Sequence, residues 1–201
     1  MNEQKSLRRG GGIAWNKNLE SYADYDNRIG RGRAYVRNGF VLDLQIDTGA
    51  VSAIVAGSGR NPYNIKVTIE ELSKTTWKKI TEMCGRSIAG IDQLVRGEFP
   101  KELGVLFTQK DGGLFPKPKE IKFSCDCPDW AGMCKHIAAV LYGIGTRFDE
   151  DPTLFFKLRN IEIDALIKKS VEEKMENMLK NAEQKTRRVI KNADIGELFG
   201  I

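Results

Sequence analysis

The sequence predicts an α+β fold: an N-terminal antiparallel β-meander with helices, then a cysteine-rich segment of short strand plus helix, then a C-terminal amphipathic helix. Three observations predict it. Between residues 33 and 70 apolar positions recur with period two. From residue 73, and again after residue 136, they recur at three and four, as on one face of a helix. Ile163, Ile167, Val171, Met175 and Met178 or Leu179 then form a helical stripe in a segment dense in Lys and Glu.

Each element has a local reason. Residues 1–12 end in Arg8-Arg9-Gly10-Gly11-Gly12 and read as a flexible basic arm, because glycine has the most backbone freedom to lose on ordering. Trp15 and Leu19 share a face of a short helix that Tyr22 continues, and Asp26-Asn27 opens a loop holding Gly30 and Gly32. Asn38-Gly39 signals a two-residue hairpin turn, which makes Ala34–Arg37 the first strand. Leu42, Leu44 and Ile46 alternate with Asp43 and Gln45 in the second strand, and Asp47-Thr48-Gly49 turns into a third over residues 51–56. Tyr63, Ile65, Val67 and Ile69 form the fourth. Such a sheet has one apolar face that other elements must cover. Ser73 caps a helix carrying Trp77, Ile80, Met83 and Cys84, and Ser87 caps another carrying Ile88, Ile91, Leu94 and Val95. Leu103 to Phe107 is an ambiguous apolar run, and 110–118 is a loop leading to a short strand over residues 120–124. Ile137, Val140, Leu141 and Ile144 define the next helix, and a short one follows Pro152.

Of 201 residues, 41% are hydrophobic and 29% charged, the composition of a globular protein. No apolar run is long enough to span a bilayer, and the first residues lack a secretory h-region, so a cytoplasmic, membrane-free placement is expected. The net charge is +5, concentrated toward the ends: residues 1–40 hold eight Lys/Arg against four acids, as do residues 168–192. This surplus permits a nucleic-acid partner without requiring one. Lys185, Arg187 and Arg188 read as a solvated end or a basic tail.

Three of the four cysteines and the only histidine fall within residues 125–136, as Cys-x-Cys-x6-Cys-x-His: Cys125, Cys127, Cys134 and His136. Zinc takes four sulfur or nitrogen ligands in a tetrahedron at about 2.0–2.3 Å, and this spacing brings two pairs together across a six-residue knuckle. A reducing compartment leaves the thiols free for such use. A Cys–His catalytic pair would leave two neighbouring thiols unexplained, and an iron–sulfur site does not suit the histidine or the spacing. Four protein ligands close the site, so the expected ion is one structural Zn2+. Lys135 and helix N-terminal amides would offset its formal charge. The second imidazole nitrogen of His136 needs an acceptor, for which Asp126 and Asp129 are the nearby carboxylates. Cys84 stands alone in an apolar pattern and reads as core.

This spacing, with Asp129-Trp130 inside it, Lys135-His136 closing it and Ile137-Ala138-Ala139-Val140-Leu141-Tyr142 trailing, resembles the SWIM zinc finger. Arg31-Gly32-Arg33-Ala34-Tyr35-Val36-Arg37-Asn38-Gly39, Asp151-Pro152 through Phe155-Phe156-Lys157-Leu158-Arg159, and the closing Leu198-Phe199-Gly200 are similar, more loosely, to prokaryotic SWIM-finger proteins encoded beside Swi/Snf-type helicases. The resemblance implies zinc binding on Cys125, Cys127, Cys134 and His136. By analogy it implies contact with nucleic acid, DNA favoured over RNA, or with a helicase partner. The expected organisation is a basic arm over 1–12, an α+β unit over 13–110, the finger over 111–148 and a helical segment over 149–201.

Among the residues themselves, Arg28, Arg31, Arg33 and Arg37 lie within ten positions beside Tyr25, Tyr35 and Phe40. Arginines hold phosphates and an aromatic stacks on an exposed base, so Tyr35 joins the candidate nucleic-acid set. Lys117, Lys119, Lys122 and Lys135 extend that set toward the finger. The other expectation is an adaptor that docks through the 163–179 stripe. There is no phosphate-cradling glycine loop, no HExxH and no nucleophile–base arrangement, so catalysis is not expected.

Overall fold

A sheet and a helix bundle share one hydrophobic core in the computed structural model, which describes residues 3–20, 26–57, 59–86, 88–96 and 113–183. Strands β1 (Val41–Asp47), β2 (Ala50–Val55), β3 (Tyr63–Ile69) and β4 (Ile121–Cys125) pair antiparallel in the order β1-β2-β3-β4. Their inward positions, among them Leu44, Ile46, Val51, Val55, Ile65, Val67 and Ile69, are buried. Helix α1 (Glu3–Glu20), α2 (Asp26–Arg37) and the sheet all pack on α5 (Lys135–Glu150), which is the centre of the molecule. Helix α3 (Lys74–Gly85) and α4 (Ile88–Val95) pack on α7 (Ile163–Glu183), and α6 (Thr153–Leu158) sits between α5 and β1. Among the described residues no helix is long and apolar enough to cross a membrane.

The sheet has four strands as expected, but not the same four. Ala34–Arg37 is the last turn of α2, and the missing strand is supplied by β4, immediately before the knuckle. Asn38-Gly39 ends that helix instead of turning a hairpin. Gly39 N–H donates to Val36 O at 3.0 Å and Phe40 N–H to Tyr35 O at 2.9 Å, with Gly39 at φ +70°. This is a Schellman motif, completed by the edge-on contact of Phe40 with Tyr35 at 4.9 Å. A hairpin turn and a helix stop both need positive φ, so the dipeptide is ambiguous between them.

The loop expected at residues 26–32 is likewise helical. Two glycines within α2 each cost about 1 kcal/mol relative to alanine, but packing overrides them. A β-carbon at Gly32 would lie 2.7 Å from Ala138 of α5, so the small residue is what lets the two helices approach. Residues 3–12, read as part of a flexible arm, form the first half of α1. There Gly12 abuts the Gly145 backbone and donates to Asp149 Oδ1 at 3.0 Å. Trp15 is wholly buried, donates from Nε1 to Leu141 O at 2.8 Å, and meets Phe148 edge-on at 5.3 Å.

A bulge between Val41 and Asp43 shifts the register of β1, so Leu42 points outward at 59% exposure while Leu44 and Ile46 stay inside. Ser73 caps α3 as expected, its hydroxyl accepting from Thr76 N–H at 3.2 Å. The stripe of α7 divides: Ile163 and Ile167 pack half-buried against the core, whereas Met175, Met178 and Leu179 are about 60% exposed. Ser87, the run 103–107 and the cluster Lys185, Arg187 and Arg188 lie outside the described residues.

Candidate metal centre

The site forms where the edge strand hands the chain to the central helix. Cys125 ends β4 opposite Ile65 of β3, so the sheet fixes its position. The chain then turns. Asp126 anchors that turn to β3, its carboxylate accepting from Asn64 N–H and Asn64 Nδ2, each at 2.9 Å. Asp129 accepts from Ala131 N–H at 3.1 Å and forms an ion pair with Arg28, which ties the knuckle to α2. The Ala131 amide foremost, and then Arg28, hold the Asp129 carboxyl below its ordinary value. Cys134 is the N-cap of α5, with extended backbone at φ −83° and ψ 170°, and His136 follows in the first turn.

The ligand atoms of Cys125, Cys127, Cys134 and His136 all lie within 4.8 Å of one another. His136 Nδ1 is 3.9 Å from Cys125 Sγ and 3.8 Å from Cys134 Sγ. A tetrahedral zinc with ordinary bond lengths has donor–donor edges of roughly 3.6–3.8 Å. The four groups thus form a cluster that can hold such an ion, with imidazole Nδ1 as the inward donor. Cys134 and His136 are almost fully buried, and Cys125 and Cys127 are half-buried.

Electrostatics points the same way. Burial pushes the Cys125 thiol up, and it pushes the Cys134 thiol up against the amide N–H groups of Ile137 and His136, which favour the thiolate. Burial, helped by Lys135, holds the His136 imidazole below its ordinary value, so the ring is neutral and able to ligate at pH 7. A bound cation would favour the thiolates that burial disfavours. Adding zinc to metal-free chain at pH 7 is therefore expected to expel at least the two protons of Cys125 and Cys134 and none from His136. A pH indicator in weak buffer reads the release, and fewer than two protons per bound ion contradicts this assignment.

The carboxylates expected behind His136 are engaged elsewhere: Asp126 with Asn64, and Asp129 with Ala131 and Arg28. The outer nitrogen, Nε2, is buried without a hydrogen-bond partner. Aromatic rings surround the imidazole instead, Tyr63 at 4.6 Å and Tyr35 at 5.6 Å between centroids. Tyr63 appears in the sequence only as one more alternating strand residue, 73 positions from His136, and no local signal links them.

Residues 113–143 match the SWIM zinc finger. That segment of the chain is a SWIM-type zinc finger. The four clustered donors are those of its Cys-x-Cys…Cys-x-His pattern, and a SWIM finger is a structural motif, not a catalytic domain. The chain is also similar to the uncharacterized protein Rv2102 of Mycobacterium tuberculosis, at 37% identity over 142 residues. That match covers 70% of this chain and 51% of the relative, so the chain spans about half the length of the protein it matches. No solved structure matches.

The candidate nucleic-acid residues fall into two groups around the SWIM finger. Several are engaged within the fold. Arg28 pairs with Asp129, Arg33 with Glu20 and with Tyr142 Oη (at 2.9 Å), and Lys122 with Glu70 at 3.3 Å. Tyr35 packs between Phe40 and His136, with Lys135 Nζ 5.0 Å above its ring. Lys117 caps the 3-10 turn Pro118–Glu120 that precedes β4. Arg31, Arg37 and Lys119 are exposed. The structure also reveals Arg159, buried to 2% exposure, whose guanidinium donates to Glu70 O at 2.8 Å and Glu120 Oε2 at 3.2 Å, bracing the start of β4.

Proposed function

We propose that this chain is a nucleic-acid-binding accessory protein whose SWIM finger is locked by one structural Zn2+ held on Cys125, Cys127, Cys134 and His136. The observation that carries the reading is the convergence of four soft donors within 4.8 Å at the junction of β4 and α5. All four positions are filled by protein, so no open coordination site is left for substrate. Bound there, the ion supplies cross-linking and charge compensation. The residues around it do the rest: Asn64 and Arg28 orient the knuckle, and Tyr35 and Tyr63 exclude water from the imidazole.

Nucleic acid is supported by the net charge of +5 and by the exposed Arg31 and Arg37 on α2, beside the finger. DNA is favoured over RNA. Titrating labelled single- and double-stranded DNA and RNA at two salt concentrations tests it. Binding should weaken steeply with salt, because each neutralised phosphate releases a counterion. Reversing Arg31→Glu and Arg37→Glu together should lower the salt slope on duplex DNA by about 2 and weaken binding roughly tenfold or more at low salt. Unchanged affinity of the double variant would remove α2 from the contact surface.

One observation favours a second reading, an adaptor subunit for a partner such as a helicase. Met175, Met178 and Leu179 leave an apolar strip in water on the outer half of α7. Absence of salt-sensitive nucleic-acid binding in the same titration, with recovery of a helicase alongside the chain, would favour it.

A further inference from the structure

Trp130 is 100% exposed, the extreme among the large hydrophobic side chains described. It sits inside the knuckle, between Cys127 and Cys134, and contributes nothing to the core. A docked tryptophan covers roughly 150–250 Å², so a ring left entirely in water contributes only when something lands on it. Its stem, by contrast, is held. Asp129 Oδ1 closes the turn beneath it onto Ala131 N–H at 3.1 Å, and the same carboxylate is clamped by Arg28. The ring is thus displayed on a braced support, which lowers the entropy lost when a partner orders it.

The surroundings say what kind of partner fits. Arg28, Arg31 and Tyr35 occupy one face of α2, spaced by three and four. Both ends of that row touch the finger: Arg28 through Asp129, and Tyr35 through His136 at 5.6 Å. Arg31 therefore lies along the same seam, exposed and without an ion pair among the described residues. Lys135 adds a second positive charge at the Tyr35 end of the row. A flat apolar face near the cations Arg31 and Lys135 suits a nucleotide, with the base on the ring and the phosphate on the Arg31 guanidinium.

We infer that Trp130 is a base-stacking residue and that its seam with Arg31 binds single-stranded nucleic acid, whose base faces are accessible as those of a duplex are not. The inference rests on the nucleic-acid reading above and adds a residue and a strand preference to it. Of the chain's three tryptophans, Trp15 is buried and Trp77 half-buried, so Trp130 dominates the solvent-exposed emission.

The test uses the zinc-loaded 201-residue chain with oligothymidylate, and with the duplex that oligothymidylate forms with oligodeoxyadenylate. The single strand should quench Trp130 fluorescence. Trp130→Ala should bind the single strand roughly 5- to 150-fold more weakly, the loss expected for one base–aromatic stack. Trp130→Phe should retain most of the affinity, and duplex affinity should change less than about twofold. Zinc content and melting temperature of both variants should match the parent, because the ring packs on nothing. Parent-like single-strand affinity of Trp130→Ala overturns the inference while leaving the nucleic-acid reading intact. An equal loss on duplex and single strand also overturns it. No salt-sensitive binding of the parent chain to either form overturns the nucleic-acid reading itself, and this inference with it.

Discussion

Cys127→Ser is expected to abolish zinc binding and to lower stability by several kcal/mol. A serine hydroxyl stays protonated at neutral pH and is a poor zinc ligand, so the variant keeps three donors of the four. Metal binding free energies in small zinc modules reach about 10–16 kcal/mol, much of it expressed as folding energy. Here the loss should be smaller, because α5 is held by more than the metal. Ile137, Val140, Leu141, Ile144 and Phe148 remain buried under α1, α2 and the sheet. The damage should concentrate on the end of β4, the knuckle and the first turn of α5, over residues 121–137. Elemental analysis should find no zinc, amide exchange should rise in that segment first, and the melting temperature should fall by roughly 10 °C or more. One zinc per chain with unchanged melting would mean that the four clustered donors do not act as a ligand set.

The residues that made the finger legible are local. Cys125, Cys127, Cys134 and His136 span twelve positions, so spacing alone carries the geometry, and the strand before them and the helix after them follow from short apolar patterns. Ser73 as a cap, and the alternation of Tyr63 to Ile69, are equally local and appear as read. What stayed hidden is held by long-range packing. Arg28 meets Asp129 across 101 positions and Arg33 meets Tyr142 across 109. Nothing near Arg28 or Arg33 distinguishes a cation reserved for the fold from one left for a ligand. Helix α2 was concealed for the same reason. Its two glycines, Gly30 and Gly32, read as a loop, and only the surface of α5 makes Gly32 an asset. The bulge at Leu42 shows the converse limit, since perfect alternation predicted an inward side chain that a one-residue slip turns out to solvent.

Trp15→Ala is expected to cost about 3–5 kcal/mol, the range for emptying a fully buried aromatic site. The indole is gripped on several sides at once: Nε1 bonds to Leu141 O at 2.8 Å, Phe148 lies edge-on at 5.3 Å and Phe115 at 5.9 Å. These contacts fasten α1 to the outer half of α5, beside the Gly12–Gly145 approach. No small rearrangement fills such a cavity, because α1 cannot move closer where the two backbones already touch. For a chain of this size the loss corresponds to a melting temperature lower by roughly 6–20 °C. The metal ligands lie at the other end of the same helix, with Cys134 as its cap and His136 in its first turn. Trp15→Ala should therefore still bind one zinc per chain at its lower melting temperature, whereas Cys127→Ser loses the ion. Loss of zinc from Trp15→Ala below its melting transition would show that α5 and the finger fail as one unit, with the knuckle unable to hold its metal unless α1 is in place.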